Sequence, residues 1–357
     1  MQKKTILLLT IITIISLLLI TLNILPLITP TANHWALKET QIEKLHQLGF
    51  TGEGITIALI DTGVDTTHHE FDQTTFTSFI DLINNHQPYY DDEDHGTHLA
   101  GLLSAQGSYQ GLFTGIYLKA ITPNAHLLII KAIPQHHYLF GGSNDTIIAN
   151  AIQHAIDQNV DIILLSLGMS PEKIDFNTTT QTTEKINQAI QQGIFIIAPA
   201  GNDQQHDDGD VSFPSNIADV ISVGAIKQTN TITSFTSKGH QYPWTTHPNK
   251  KPELVAPGEK IMSTRTNGAY GQLSGTSQAA TYVAGILALL LEAYPDYKPN
   301  ESKNQNQTTI QLFKEIFATT AKKIGTLQNN PTAYSHNDYY GYGLIQAYDA
   351  YLQLAKH

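Results

Sequence analysis

Hydrophobic and polar positions alternate along most of the chain in the order strand, helix, strand. Short, almost wholly apolar runs predict buried strands, and longer runs with apolar residues three or four apart predict amphipathic helices. The predicted strands are Ile55–Ile60, Leu127–Ile130, Val160–Leu165, Ile194–Ala198 and Val220–Ala225. The predicted helices are Trp35–Phe50, Thr146–Gln158, Thr182–Gln192, a run ending at Leu291 and a last one after a turn at Gly341–Gly343. This order predicts an α/β fold with a mostly parallel central sheet and helices on both faces.

The extreme N-terminus has a different pattern. Lys3 and Lys4 precede an uncharged stretch, Thr5–Asn33, that consists mostly of Ile and Leu. Its apolar run is closer to the roughly 20 residues that span a bilayer than to the shorter core of a secretory signal, and Thr31-Ala32 is a poor cleavage site. We expect residues 1–33 to be an uncleaved membrane anchor, with signal cleavage and secretion as the alternative. Residues 34–357 would then form one domain outside the cytoplasm, with the lysines inside.

Composition narrows the possible functions. The net charge of the 357 residues is −11 and the basic residues form no cluster, which argues against a nucleic-acid partner. The absence of cysteine excludes disulfides, thiolate catalysis and cysteine-ligated metals. Nothing in the pattern defines an oligomeric state.

Two polar residues occupy places where chemistry is often found. Asp61 ends the first predicted strand, and the carboxyl ends of parallel strands are where α/β sheets bind ligands. Ser277 begins the helix that runs to Leu291, where unpaired N–H groups and the helix dipole stabilise an oxyanion. Taken singly, the aspartate is more typical of a turn or N-cap and the serine of a helix cap, and other stretches of the chain are needed to favour chemistry.

A third stretch combines acidic residues with two histidines. The acidic run Asp91–Asp94 is typical of a solvated loop, with cation binding as the less favoured interpretation. His95 and His98 are three residues apart and could share one helix face as metal ligands. No third ligand occurs at a recognisable spacing, so a metal site is disfavoured.

Asp61, His95 and Ser277 occur in the order Asp, His, Ser, which distinguishes one triad architecture from the α/β-hydrolase and chymotrypsin orders. The surrounding motifs, Asp61-Thr62-Gly63, His95–Gly101 and Gly275–Ala279, resemble the three signatures of subtilisin-like serine proteases. The resemblance extends from about Phe50 to Ala350. Three signatures in order are specific, whereas any one of them alone would be weak.

The resemblance implies an extracytoplasmic serine endopeptidase that hydrolyses protein or peptide substrates through an acyl-enzyme. It implies a catalytic triad of Asp61, His95 and Ser277, with Asn202 as the side-chain donor to the oxyanion. The residues implied to bind substrate are Gly141, Gly142, Ser143, Ser166, Leu167, Gly168 and Ser212. Ser212 would form a small neutral floor of the pocket for the residue before the scissile bond (P1), which favours apolar side chains. The nearby Asp207, Asp208 and Asp210 would instead attract a basic one.

The chain also departs from the family pattern. Gln278 stands where the family usually has methionine, and Thr281-Tyr282 replaces a Pro-His pair. The segment Ser104–Thr122 is longer than the family's calcium loop and offers few carboxylates, so a structural calcium is possible but cannot be assigned. The chemistry itself requires no cofactor. The residues between Ala32 and Asp61 are too few for the inhibitory pro-domain that is usual in the family.

Two other functions use the same residues. A catalytically silent module of this fold could bind peptides or partner proteins, although such a module has no need of an intact triad. Acyl transfer to an amine in place of water would require the same catalytic groups.

Overall fold

A computed structural model describes residues 31–107, 117–135, 144–168, 180–203, 210–239, 246–329 and 331–357. Residues 1–30, which contain nearly all of the predicted anchor, lie outside these ranges. So do Gly141, Gly142 and Ser143.

The predicted alternation of strands and helices is present. The strands are β1 (Thr31–Ala32), β2 (Thr56–Asp61), β3 (Thr75–Asp81), β4 (Tyr117–Leu118), β5 (His126–Lys131), β6 (Ile162–Leu165), β7 (Phe195–Pro199), β8 (Ile221–Ile226), β9 (Leu254–Pro257), β10 (Ile261–Arg265) and β11 (Ala269–Leu273). The helices are α1 (His34–Glu39), α2 (Ile42–Gln47), α3 (His95–Ser104), α4 (Asp145–Asp157), α5 (Gln181–Gln191), α6 (Thr276–Ala293), α7 (Gln307–Thr320) and α8 (Ala347–Leu354).

Seven strands form the central sheet in the order β3-β5-β2-β6-β7-β8-β9, and every pair in it is parallel. All residues of β6, β7, β8 and β9 are buried, so both faces of the sheet are covered in this region, as their continuous apolar runs predict. The strand order changes direction at β2, with β5 on one side and β6 on the other. Open parallel sheets bind their ligands beyond the carboxyl ends of the strands at such a point.

Helix α6 lies in the core. Every residue from Thr276 to Leu291 is buried, and the helix packs against β6, β7, β8 and β9. Among the described residues it is also the one helix with the length and hydropathy to cross a membrane. Helices buried in a protein core commonly share that composition, so the buried position of α6 accounts for it.

The predicted helix Trp35–Phe50 is wrong as a single element. The chain forms α1 and α2, and Gln41 between them has a φ of 62°, in the left-handed region. The Thr40 hydroxyl donates to the Ala36 carbonyl at 2.7 Å and closes the first helix. Apolar spacing continues through the break because the buried residues of both short helices belong to one core cluster, so periodicity alone does not reveal the break.

The last three residues of the predicted anchor, Thr31–Asn33, belong to the folded domain, so an anchor as long as 1–33 is wrong at its C-terminal end. Strand β1 pairs in parallel with β4. Ala32 packs against a small apolar cluster that consists of Ala105, Leu118 and Ala120. The Asn33 side chain donates to the Met262 carbonyl at 2.7 Å and accepts from the Met262 N–H at 2.9 Å. These contacts attach the chain to β10.

Candidate active site

The sheet brings three polar positions to one edge. Asp61 is the last residue of β2, Ser166 directly follows β6, and Asn202 lies shortly beyond β7. Because β2, β6 and β7 are parallel neighbours, their carboxyl ends meet at the same edge of the sheet. This edge of the sheet is the candidate active site.

Asp61 and His95 form a buried pair. The Asp61 side chain has no solvent exposure, and His95 is 1% exposed. The His95 Nδ1 lies 2.8 Å from the Asp61 Oδ1 and 2.9 Å from the Oδ2. A carboxylate at Nδ1 fixes the tautomer that carries its proton there and leaves Nε2 as the basic nitrogen.

His95 is placed by the start of α3. Asp94 precedes the helix with a φ of 65°, and its carboxylate accepts from the Arg265 Nε at 3.1 Å and the Thr266 N–H at 2.9 Å. Gly96 allows the helix to approach the end of β2 closely, since a Cβ there would lie 2.0 Å from the Gly63 carbonyl oxygen. Any larger residue at Gly96 would therefore push α3, and with it His95, away from Asp61.

Ser277 is the second residue of α6 and is 4% exposed. The N–H groups in the first turn of a helix have no partner within the helix, and the helix dipole favours negative charge at this position. The Ser277 carbonyl accepts from the Thr281 hydroxyl at 2.9 Å, one turn further along the helix.

Asn202 is connected directly to this helix start. Its Oδ1 accepts from the Thr276 N–H at 2.9 Å and from the Thr276 hydroxyl at 3.0 Å. The same hydroxyl accepts from the Gly201 N–H at 3.2 Å. With its oxygen held by two donors, the exposed Asn202 side chain has its amide N–H₂ left to donate, and a Cβ on Gly275, two residues before Ser277, would lie 3.6 Å from the amide nitrogen.

Two of the predicted substrate-binding residues are in contact. A Cβ on Gly168 would lie 3.1 Å from the Ser212 Cβ, and a Cβ on Gly201 would lie 2.3 Å from the Ser212 hydroxyl. Ser212 is thus enclosed between the chains that follow β6 and β7. The Ser212 hydroxyl also lies 3.4 Å from the Asp203 Oδ2, which places a carboxylate beside this recess.

The other predicted substrate-binding residues are placed as follows. Ser166 is 2% exposed and Leu167 8%, while Gly168 is more open, so the extended chain after β6 rises from the core toward the surface. Gly141, Gly142 and Ser143, expected on the facing segment, lie outside the described residues, as do Asp207 and Asp208.

Comparison with known proteins adds independent findings. The subtilase family, Peptidase_S8, matches residues 52–343.

The chain belongs to the subtilase family.

Individual relatives agree with this. The chain is 31% identical over 295 residues to the major intracellular serine protease of Bacillus subtilis (strain 168), covering 80% of this chain and 82% of that protein. It is 29% identical over 312 residues to subtilisin E of the same organism, covering 87% of this chain and 69% of the relative. The solved structure of the prenylagaramide maturation protease PagA superimposes with a TM-score of 0.66 at 22% identity, covering 88% of this chain and 98% of PagA. As a subtilase, the protein is a serine endopeptidase.

The acidic run before His95 is not the solvated loop that the sequence predicted. The Asp92 carboxylate pairs with the buried Lys131 amine at 2.6 Å, and the Asp94 carboxylate pairs with Arg265. Asp91 accepts four hydrogen bonds from its neighbours. The run therefore joins α3 to β5, β10 and the end of β2, and the carboxylates of Asp91, Asp92 and Asp94 are bonded within the fold.

His98 also has a structural role. Its side chain has no exposure, and its Nε2 lies 3.0 Å from the Ile261 carbonyl oxygen on β10. Burial, with a smaller contribution from His95, lowers the pKa of His98 to about 3. His98 is thus a neutral donor that attaches α3 to β10. Within the described ranges, no group of three or more His, Cys, Asp or Glu side chains could hold a metal ion.

Sequence reasoning missed Thr276. Threonine is common beside a helix start, and its contact with Asn202 joins residues that are 74 positions apart. The signal in the sequence is the position of Thr276 in the motif Gly275-Thr276-Ser277, directly before the serine.

Proposed function

We propose that this endopeptidase cleaves peptide bonds with Ser277 as nucleophile, His95 as general base and acid, and Asp61 as the residue that orients the imidazole. The observation that carries the proposal is the buried hydrogen bond from the His95 Nδ1 to both carboxylate oxygens of Asp61, at 2.8 and 2.9 Å. A carboxylate in that place stabilises the imidazolium that forms during proton transfer.

In the acylation half-reaction, the Ser277 Oγ attacks the scissile carbonyl carbon and its proton passes to the His95 Nε2. The oxygen of the tetrahedral intermediate becomes negatively charged. The Asn202 amide and the Ser277 N–H donate to it, and the dipole of α6 adds to its stabilisation. When the C–N bond breaks, the His95 Nε2 returns the proton to the leaving amine and an ester to Ser277 remains.

In deacylation the same groups act on water. The His95 Nε2 takes a proton from the attacking water, and a second tetrahedral intermediate forms. When the C–O bond to Ser277 breaks, the His95 Nε2 returns that proton to the Ser277 Oγ and the acid is released. Because His95 must accept a proton in both halves, kcat/KM should fall in acid. A profile that stayed flat down to about pH 4 would contradict the assignment of His95 as the base.

A serine-reactive phosphonate tests the assignment. We expect labelling of Ser277 in the wild-type protein, with loss of both labelling and peptide hydrolysis in Ser277→Ala. His95→Ala should lose hydrolysis while the domain stays folded, because its role is chemical. Labelling of a different residue, or turnover by Ser277→Ala, would refute the triad assignment.

We propose that the domain acts outside the cytoplasm and stays attached to the membrane by the N-terminal segment that precedes Thr31. The uncharged apolar stretch after two lysines supports this placement. The attachment of Thr31–Asn33 to the domain agrees with retention, since cleavage after Ala32 would detach β1 from β4. Membrane fractionation with N-terminal sequencing tests it, and a soluble form beginning near Asn33 would favour secretion.

A further inference from the structure

Asp91 lies four residues before His95 and has no role in the mechanism above. Its Oδ2 accepts from the Thr97 N–H at 2.8 Å and the Thr97 hydroxyl at 2.6 Å. Its Oδ1 accepts from the Thr62 hydroxyl at 2.8 Å and the Glu93 N–H at 3.0 Å. Four donors on two oxygens match the acceptor capacity of an ionised carboxylate.

These contacts join the elements that carry the two catalytic side chains. Thr62 follows Asp61 at the end of β2, and Thr97 lies in the first turn of α3 two residues after His95. The Thr62 hydroxyl also accepts from the Gly96 N–H at 2.9 Å, so it contacts both elements. Asp91 therefore connects the start of α3, which carries His95, to the end of β2, which carries Asp61.

The Thr62 hydroxyl has a choice of acceptors. It lies 2.8 Å from the Asp91 Oδ1 and 3.1 Å from the Asp61 Oδ1, and a hydroxyl has one proton to donate. The Asp61 Oδ1 already accepts from the Thr62 N–H at 2.6 Å and contacts the His95 Nδ1. While Asp91 accepts the hydroxyl proton, the charge of Asp61 remains available to the imidazolium.

Burial raises the pKa of Asp91, although hydrogen bonds from Thr97, Glu93 and Thr62 act in the opposite direction. Removing a carboxylate from water destabilises the folded state unless hydrogen bonds compensate. Here the compensating hydrogen bonds are the ones that connect β2 to α3.

We propose that Asp91 is a positioning residue, which holds the Asp61–His95 pair in place through Thr62 and Thr97 and directs the Thr62 hydroxyl proton away from Asp61. This inference rests on the proposed function of the pair. It assigns Asp91 no contact with the substrate.

The first test replaces Asp91 by Asn, which keeps the shape and removes the charge. An amide nitrogen facing Thr62 would donate to its hydroxyl oxygen, and the hydroxyl proton would then turn to Asp61. We expect kcat per phosphonate-titrated active site to fall by about 10- to 100-fold with KM changed less than about threefold. The acid limb of kcat/KM should also move to lower pH, because the imidazolium loses stabilisation.

Asp161→Asn is the matched control. Asp161 is a buried carboxylate whose pKa is raised by burial, as that of the partly buried Asp91 is, and it accepts from the Thr56 N–H at 2.8 Å at the opposite end of β2. This variant should lose thermal stability but keep kcat and the acid limb unchanged. A pure stability effect of removing a buried carboxylate would alter both variants alike.

Thr62 variants provide a second route if Asp91→Asn does not fold. Thr62→Ser keeps the hydroxyl and should retain kcat within about threefold, whereas Thr62→Val removes it and should lower kcat by about tenfold or more. The double variant Asp91→Asn, Thr62→Val should lose little beyond the larger single effect, because both changes break one network. Additive losses, or equal activity of the Ser and Val variants, would overturn the proposal.

A measurement without turnover separates this inference from the proposed function. In the Ser277→Ala background, the low-field proton NMR resonance of the His95–Asp61 hydrogen bond should shift in Asp91→Asn and stay in place in Asp161→Asn. An unmoved resonance together with wild-type kcat in Asp91→Asn would overturn the positioning role. Wild-type protein that phosphonate does not label would instead refute the proposed function.

Discussion

His98 should make the stability of the folded domain depend on pH. The side chain is fully buried between α3 and β10, with its Nε2 3.0 Å from the Ile261 carbonyl oxygen. Burial lowers its pKa to about 3 in the folded protein, whereas a histidine in an unfolded chain has a pKa of about 6.5. Between these two values the unfolded chain binds a proton that the folded chain does not.

The sign and size of the effect follow from this difference. Because the folded pKa of His98 is depressed, its contribution is absent above about pH 6.5, and the folded state loses stability as the pH falls below that value. At pH 5, about 1.5 units below the unfolded pKa, the loss relative to pH 8 is about 2 kcal/mol. The loss would continue down to about pH 3.

Urea unfolding at pH 8 and pH 5 measures the effect. The background should be Ser277→Ala, so that self-cleavage does not interfere. His98→Gln has an amide that can still donate to the Ile261 carbonyl but does not titrate. We expect its free energy of unfolding to change by about 2 kcal/mol less between the two pH values than that of the parent.

His357→Gln is the control, since His357 is exposed at the C-terminus and should leave the pH dependence unchanged. A lower stability of His98→Gln at both pH values would not affect the comparison, which uses only the difference between them. If His98→Gln and its parent lost the same free energy between pH 8 and pH 5, the assignment of a neutral buried His98 would be refuted.

Three further predictions concern catalysis and specificity. Asn202→Asp keeps the oxygen that accepts from Thr276 but removes the amide donor, so kcat should fall by about 10²–10³, the usual loss for an oxyanion donor in this family; a loss confined to KM would contradict that role. Gly168→Val should raise KM for substrates with a P1 Phe by about tenfold or more and leave KM for substrates with a P1 Ala unchanged, because even a Cβ at residue 168 would lie 3.1 Å from the Ser212 Cβ. Equal changes in KM for both substrates would show that the P1 side chain binds elsewhere. In a peptide-library digest the wild-type protein should prefer apolar P1 residues, and Asp203→Asn should lower kcat/KM for P1 Lys relative to P1 Phe by about tenfold; strict cleavage after Lys or Arg would contradict the first expectation.

The sequence by itself determined the class of fold and the family, and it supplied the residues that we propose for the site. Apolar runs such as Val160–Leu165 and Ile194–Ala198 predict buried parallel strands because both faces of such strands contact protein. Sheet geometry then places the residues at their carboxyl ends, Asp61 among them, along one edge. These inferences need only local patterns and general rules of topology.

The tertiary structure decided which residues far apart in the chain are partners. The strand β3 has a mixed pattern of exposed and buried residues, and its place at the sheet edge follows from pairing with β5. The anchoring of Asn202 by Thr276 and the burial of His98 against Ile261 join residues far apart in the chain. The acidic residues before His95 look alike in sequence, yet they have different partners. Asp91 accepts hydrogen bonds from Thr62 and Thr97, whereas Asp92 pairs with Lys131. Local periodicity reports which face of an element is buried, but the partner of each polar group depends on distances that only the folded chain defines.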